Sequence, residues 1–167
     1  GFPGQVDRET GTLSNAYNLE ILSYPIGPEL AARVGLPIVV ENDVTAASVG
    51  AVHLLGFEGT VAYLNIGTGL AAGVVVDGAP IRGAHGFAGE LGHLPIDPRG
   101  RQCPCGQRGC LETVASGSAL LAHWPAGGSN PGRALLAAAG PDNPDPEARA
   151  EAQAAFEMLV EGSASAI

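Results

Sequence analysis

The sequence predicts an α/β fold built around a mixed sheet. Three observations carry that prediction. Apolar runs of strand length occur at 36–41, 60–66 and 70–76. Helical segments lie between and after them, and glycine-rich turns mark where one type gives way to the other. The 167 residues are enough for one domain with a core, or for part of a larger one.

In chain order, "GFPGQVDRETG" is turn chemistry, and "PELAARVG" is a short helix ending at Gly35. "LPIVVE", 36–41, reads as a buried strand. Asn42 or Asp43 caps the helix "VTAASVGAVHLLG", which stops at Gly56. "TVAYLNI", 60–66, is a strand, Gly67-Thr68-Gly69 a tight turn, and "LAAGVVV" the strand that resumes. Asp77-Gly78 signals a hairpin. Glycine is dense from 83 to 112 and regular structure is hard to assign there, so that stretch needs another brace. "LETVASGSALLAHW" reads as one helix and "PAGGSNPG" as a loop. "RALLAAAG" and "PEARAEAQAAFEMLVEGSASAI" are two further helices.

The bulk numbers exclude several function classes. The formal net charge is −9 and Lys plus Arg total 8, a poor footprint for a phosphate backbone. No apolar run approaches the roughly 18 residues of a membrane span, and no secretory signal is present. Clustered cysteines without such a signal point to a reducing cytoplasm. The chain opens on Gly1 and closes inside a helical pattern, so a fragment is expected.

All three cysteines fall within "CPCGQRGC", residues 103 to 110. An odd number of thiols cannot pair within one chain, and adjacent C-x-C thiols rarely make an unstrained disulfide. Zinc accepts thiolate and imidazole ligands and prefers four in a tetrahedron. Cys103, Cys105 and Cys110 supply three. His93, the nearest histidine upstream, is the expected fourth, with His85 the next candidate; His53 and His123 belong to helices. Gly106 and Gly109 let the backbone double back toward the ion. The bland alternative is three inert thiols in a loop, or one disulfide with a spare thiol.

Four segments carry a family resemblance. "GELGHLPIDPRGRQCPCGQRGCLE", 89–112, resembles the signature E-x-G-H followed by C-x-C-G-x-x-G-C-x-E of the ROK family, which includes bacterial sugar kinases and sugar-responsive repressors. "ENDVTAA", 41–47, "NIGTGLAAGVVVDG", 65–78, and "GFPGQVD" are similar to its other segments. The resemblance implies the two-lobed actin-like or hexokinase-like ATPase fold (ribonuclease H-like), with sugar and nucleotide in the cleft between lobes. It divides the chain into the end of the N-terminal lobe and crossover, 1–42, and part of the C-terminal lobe, 43–167. The family's D-x-G-G-T phosphate loop and its later L-G-G-G segment have no match in the sequence.

The implied activity is transfer of the ATP γ-phosphoryl group to a hexose, with Mg²⁺ accompanying the nucleotide. Asp43 is the expected base, placed at the carboxyl end of a strand and at a helix N-terminus, where the dipole favours its charge. Its plain alternative is an N-cap. Asn42, Asp43, Glu90, His93 and Glu112 match the family's sugar contacts. Solvated or helix-terminal charges are the alternatives for Glu90 and Glu112. Gly67, Thr68 and Gly69 would meet the nucleotide phosphates. Ala71 and Ala72 stand where family kinases have glycine. The zinc would be structural, since four protein ligands leave no open position. The rival expectation is a repressor that senses sugar without catalysis and meets DNA through an upstream helix-turn-helix. A third is a zinc-stabilised interaction module with no small ligand. The resemblance also implies a homo-oligomer, a hexose or amino-sugar ligand, and no membrane partner.

Overall fold

A computed structural model describes residues 1–16, 19–125 and 130–164. The chain forms two compact units, one of Gly1–Asn65 with Ala72–Gly89, the other of Ile66–Ala71 with Glu90–Ile167.

Unit one begins with three strands: β1 (Gln5–Asp7), β2 (Thr12–Ala16) and β3 (Ile21–Tyr24), antiparallel and in that order. The opening segment is therefore more than turn chemistry. Its strands were hidden because each is short and polar residues interrupt the alternation that would reveal them. Asp7 organises the β1–β2 turn: its Oδ1 accepts the N–H groups of Glu9 at 2.9 Å and Thr10 at 3.2 Å. The bond from the Thr10 backbone leads the causes that hold its carboxyl below the usual carboxylate range. Leu13 of β2 faces Val6 and Tyr24 in register and is buried.

Helix α1 (Ile26–Val34) follows and ends as expected at Gly35, which is left-handed and donates its N–H to the Ala31 carbonyl. The expected buried strand at 36–41 does not form. Leu36 and Val39 are 64% and 75% exposed, and Val40 alone of the run is deeply buried at 3%. Among the described residues the nearest ladder contact is a parallel bridge between Phe2 and Asn42, one position past the run. Apolar character was present, but a strand needs a neighbour, and among the described residues Phe2 is the neighbour this run has.

Helix α2 (Asp43–Leu55) keeps the predicted limits. The Asn42 side chain accepts from the Thr45 N–H, and left-handed Gly56 closes the other end. Next come β4 (Thr60–Ile66), β5 (Leu70–Val76) and β6 (Ala79–Ile81), in the order β4-β5-β6. Asp77 and Gly78 have φ of 48° and 80°, the primed-turn conformation of a two-residue hairpin. Among the described residues the strands form two three-stranded sheets where the sequence suggested a mixed sheet, and β5 pairs with β6 antiparallel. Helix α2 lies against β5 at Gly73: a Cβ there would fall 2.4 Å from Ser48 Cβ, so only hydrogen fits. The buried Ser48 hydroxyl donates to the Thr45 carbonyl at 2.7 Å.

Unit two starts with the tip of the β4–β5 pair, residues 66–71. It continues with two single 3-10 turns, Leu91–His93 and Leu111–Thr113, and three helices, α3 (Gly117–His123), α4 (Pro131–Ala139) and α5 (Pro146–Ala164). Leu120, Trp124, Leu135, Ala152 and Ala155 form its helical core. A second cluster joins Leu70, Leu111 and Ala115, with Val114 packed against it. The helix expected over 111–124 is broken. Ser116 is extended and caps α3, its Oγ accepting the Ala119 N–H at 3.1 Å and donating to the Glu112 carbonyl at 2.7 Å. The Gly117 and Ser118 N–H groups reach the Gly67 and Thr68 carbonyls at 2.8 and 3.1 Å rather than a preceding helical turn. A cap and two tertiary bonds outweigh helical periodicity. Helix α5 starts as predicted at Pro146, while α4 begins at Pro131, inside the segment expected as a loop, because Asn130 caps it and proline suits a first helical position; residues 126–129 of that loop and 165–167 of the last helix lie outside the described residues. Among the described residues no helix is long and apolar enough to cross a membrane.

Candidate functional site

The expected metal ligands come together in unit two. Ligand atoms of His93, Cys103, Cys105 and Cys110 all lie within 4.8 Å of one another. Cys103 Sγ is 3.7 Å from His93 Nδ1, and Cys105 Sγ is 3.6 Å from Cys110 Sγ. Tetrahedral ligands about 2.0–2.3 Å from a zinc ion stand roughly 3.5–3.8 Å apart, whereas a disulfide requires sulfurs about 2.05 Å apart. The donor set therefore fits a tetrahedral ion. The three cysteines are free thiols, Cys103 and Cys110 buried and Cys105 exposed. His85 belongs to unit one, where its carbonyl accepts from Gln5 Nε2 at 2.8 Å, whereas the histidine grouped with the three thiols is His93.

The glycines earn their positions in different ways. Gly106 has φ of 95° in open space, which suits the turn between Cys105 and Gln107. At Gly109 a Cβ would collide with the Asp97 carbonyl, and the Gly109 carbonyl accepts from Ile96 at 2.8 Å. That close backbone crossing returns Cys110 to the other ligands.

Burial pushes the Cys103 thiol well above its ordinary range and, more mildly, raises Cys110. Burial also opposes the charge on Cys105. Hydrogen bonds from Gln107 and from the other two thiols outweigh it and bring Cys105 to about 7. Cys105 is thus the one thiol of the three that is shifted down, and Cys103 and Cys110 are shifted up. A divalent cation can displace the protons on the other two.

His93 joins this cluster to the acids. Its Nδ1 faces Cys103, while its Nε2 lies 4.0 Å from Glu90 Oε2. Glu112 Oε1 is 3.4 Å from His93 Nδ1 and 3.2 Å from Cys103 Sγ. The other oxygen of Glu112 approaches Gly69, where a Cβ would fall 2.9 Å from Oε2. Unit two therefore gathers Glu90, His93, Glu112 and the Gly67–Gly69 turn beside the thiols. Within that turn the Gly67 N–H donates to the Gly69 carbonyl at 3.0 Å, so it is committed internally and not aimed outward.

Asn42 and Asp43 belong to unit one. Asp43 opens α2, is exposed, and its Oδ1 accepts the Val44 N–H at 2.9 Å. Asn42 is occupied on both ends: Oδ1 accepts from Thr45 at 3.0 Å and Nδ2 donates to the Gly4 carbonyl at 3.2 Å. The backbone around the pair is pinned by Phe2, whose N–H reaches the Glu41 carbonyl and whose carbonyl accepts from Asp43, both at 3.0 Å.

Sequence reasoning missed Glu41 and Arg82. Nε and Nη2 of Arg82 both reach Glu41 Oε2, at 2.8 and 2.6 Å, and Arg8 Nε stands 3.4 Å from the same oxygen. A signal was available: Arg82 is the one Lys or Arg between Arg33 and Arg99, and Glu41 directly precedes Asn42-Asp43.

Comparison with known proteins follows the same lines. The model of the ROK family matches residues 1–166. The chain is 39% identical over 149 residues to the glucokinase of Streptomyces coelicolor, covering 87% of this chain and 47% of that protein. It is 40% identical over 124 residues to the xylose repressor of Caldicellulosiruptor bescii, covering 72% and 31%. Among solved structures, a ROK family glucokinase from Streptomyces griseus in complex with glucose and AMPPNP superposes with a TM-score of 0.84. That match has 30% identity over 99% of this chain and 58% of that one. The chain spans less than half the length of the two curated relatives.

Proposed function

Because the chain belongs to the ROK family and carries part of its actin-like ATPase fold, we propose that the whole protein is a sugar kinase that moves the γ-phosphoryl group of ATP to a hexose hydroxyl. The observation that carries this reading is Asp43, an exposed carboxylate at the first position of α2 directly after the Asn42 cap. The likeness to glucokinases supports the same conclusion.

In this mechanism Asp43 takes the proton of the attacking hydroxyl as its oxygen bonds to the γ-phosphorus, and the bond to the β-phosphate oxygen breaks to release ADP. Asn42, Glu90, His93 and Glu112 hold the sugar hydroxyls, which orients one of them for in-line attack. The Gly67–Gly69 turn meets the phosphates of the nucleotide, which arrives with Mg²⁺. His93, Cys103, Cys105 and Cys110 hold a zinc ion that braces the loop; with four protein ligands it supplies structure and no Lewis-acid step. The cytoplasm suits three reduced thiols. Assembly as a homo-oligomer is the family's habit and belongs to this proposal.

A second reading has its own support. Identity to the xylose repressor, 40% over 124 residues, is about that to the glucokinase, 39% over 149. Ala72, where family kinases have glycine, is buried. In that reading the same residues bind sugar as an effector, and DNA is met by a segment elsewhere in the whole protein. The deciding measurement is sugar-dependent ADP release by the full-length protein across a panel of hexoses and amino sugars. Turnover establishes the kinase. Sugar binding without turnover, together with sugar-sensitive binding to promoter DNA, overturns it in favour of the repressor.

A further inference from the structure

We infer that Arg82 is a positioning residue for the Asn42–Asp43 pair and acts through Glu41; the inference rests on the sugar-site reading of that pair. The guanidinium closes on one oxygen of Glu41 with two charge-assisted bonds, 2.8 Å from Nε and 2.6 Å from Nη2. A weaker bond from Nη1 to the Pro80 carbonyl, 3.4 Å, sets the plane of the fork. The second oxygen of Glu41 accepts the N–H of Asn42 at 3.1 Å. One carboxylate thus links Arg82 to the peptide that opens into the α2 cap. Because the Glu41 carbonyl and the Asp43 N–H are both tied to Phe2, this peptide is held from side chain and backbone together.

Arg82 works on a second segment as well. It directly follows β6, and its carbonyl accepts the Ala88 N–H at 3.0 Å, which closes the loop leading to Glu90. Gln5 holds the middle of that loop at the His85 carbonyl, and Ala72 holds its end at the Gly89 carbonyl, 2.7 Å away. A single residue therefore fixes the approach to Asn42-Asp43 and the base of the loop 83–89 within unit one.

The pair is half-buried, with side-chain exposures of 31% for Arg82 and 17% for Glu41. An isolated ion pair with one partner this exposed adds little to stability. A reacting carboxylate shifted by about 1 Å loses on the order of a hundredfold in rate. The pair should accordingly matter more to the rate than to the fold. Arg8, 46% exposed and 3.4 Å from Glu41, is peripheral to it.

The test uses the full-length protein and the variants Arg82→Ala, Arg82→Lys, Glu41→Gln, the Arg82→Ala/Glu41→Gln double, and Arg8→Ala. Steady-state kinetics, calorimetric sugar binding and thermal melting are measured on each. Arg82→Ala and Glu41→Gln should each lower kcat by roughly 30- to 100-fold, with nucleotide KM and melting temperature near those of the parent. The double variant should fall no further than the worse single, the mark of residues acting as one unit. Arg82→Lys should recover part of the loss, and Arg8→Ala should match the parent. Parent-like kcat in Arg82→Ala overturns the inference. So do losses that multiply in the double variant, or a loss that merely tracks the unfolded fraction. Should Arg82→Ala fail to fold, Glu41→Gln and Arg82→Lys decide by the same criteria. If the parent binds sugar without turnover, the kinase reading fails. Positioning is then judged on sugar Kd: a tenfold weakening in Arg82→Ala upholds it and an unchanged value sinks it. A parent that binds no sugar overturns both.

Discussion

Oε1 of Glu112 lies 3.4 Å from Nδ1 of His93. The same oxygen is 3.2 Å from the sulfur of Cys103, so this carboxylate borders the group of three thiols and His93. Three thiols and one imidazole already make a full tetrahedral set. Glu112→Gln keeps the size of the side chain and removes its charge. The expected outcome is an unchanged metal content by elemental analysis and a sugar affinity weaker by about tenfold, as for loss of one charged hydrogen-bond partner. Loss of the metal in this variant would reassign Glu112 to the ion.

The metal itself is the next prediction. The purified protein should carry one zinc per chain. Cys110→Ser, at a sulfur-bearing position with no exposed surface, should abolish retention and lower the melting temperature by about 10 °C or more, since structural zinc contributes folding free energy directly. Acidification should release the ion, because burial raises the Cys103 and Cys110 thiols and protons then compete for those sulfurs. The sign is fixed: retention falls as pH falls. Chelator-accessible zinc followed by a colorimetric reporter reads both effects.

Asp43→Asn should separate chemistry from binding. Asparagine retains an Oδ1 acceptor for the Val44 N–H, so the first turn of α2 keeps its bond. The sugar should still bind within a few-fold of the parent affinity, while kcat falls by about 10²–10⁴, the usual span for loss of a general base. Calorimetry and the coupled ADP assay on the same preparation check the two halves.

Gly73→Ala is the stability test. Its new methyl group would meet Ser48 Cβ at 2.4 Å and the Val44 carbonyl at 3.1 Å, in the seam between β5 and α2. Overpacking of this kind costs about 1–3 kcal/mol, which denaturant unfolding should detect as a lower midpoint with an unchanged slope.

Much of this architecture was legible in the residues. The limits of α2 followed from Asn42 and Gly56, and β4 and β5 from apolar runs bounded by a Gly-Thr-Gly turn. The grouping of three cysteines with the nearest upstream histidine was also legible. Where the reading missed, the deciding partner was distant in sequence. The run 36–41 has strand composition, but among the described residues the one bridge beside it joins Phe2 to Asn42, just past its end. The helix expected over 111–124 divides because Gly117 and Ser118 donate to Gly67 and Thr68. β1 to β3 are held by mutual register, which single short strands do not advertise. The Arg82–Glu41 pair spans 41 positions, and no local pattern announces it.

The bonds from Gly117 and Ser118 to the carbonyls of Gly67 and Thr68 carry one more consequence. They stitch together stretches of backbone fifty positions apart. These amides exchange with deuterated solvent only when the stitch parts, so Gly117 and Ser118 should show matched protection. Occupancy of the turn by a nucleotide should slow both amides in step, turning the start of α3 into a spectroscopic reporter of what the neighbouring loop holds.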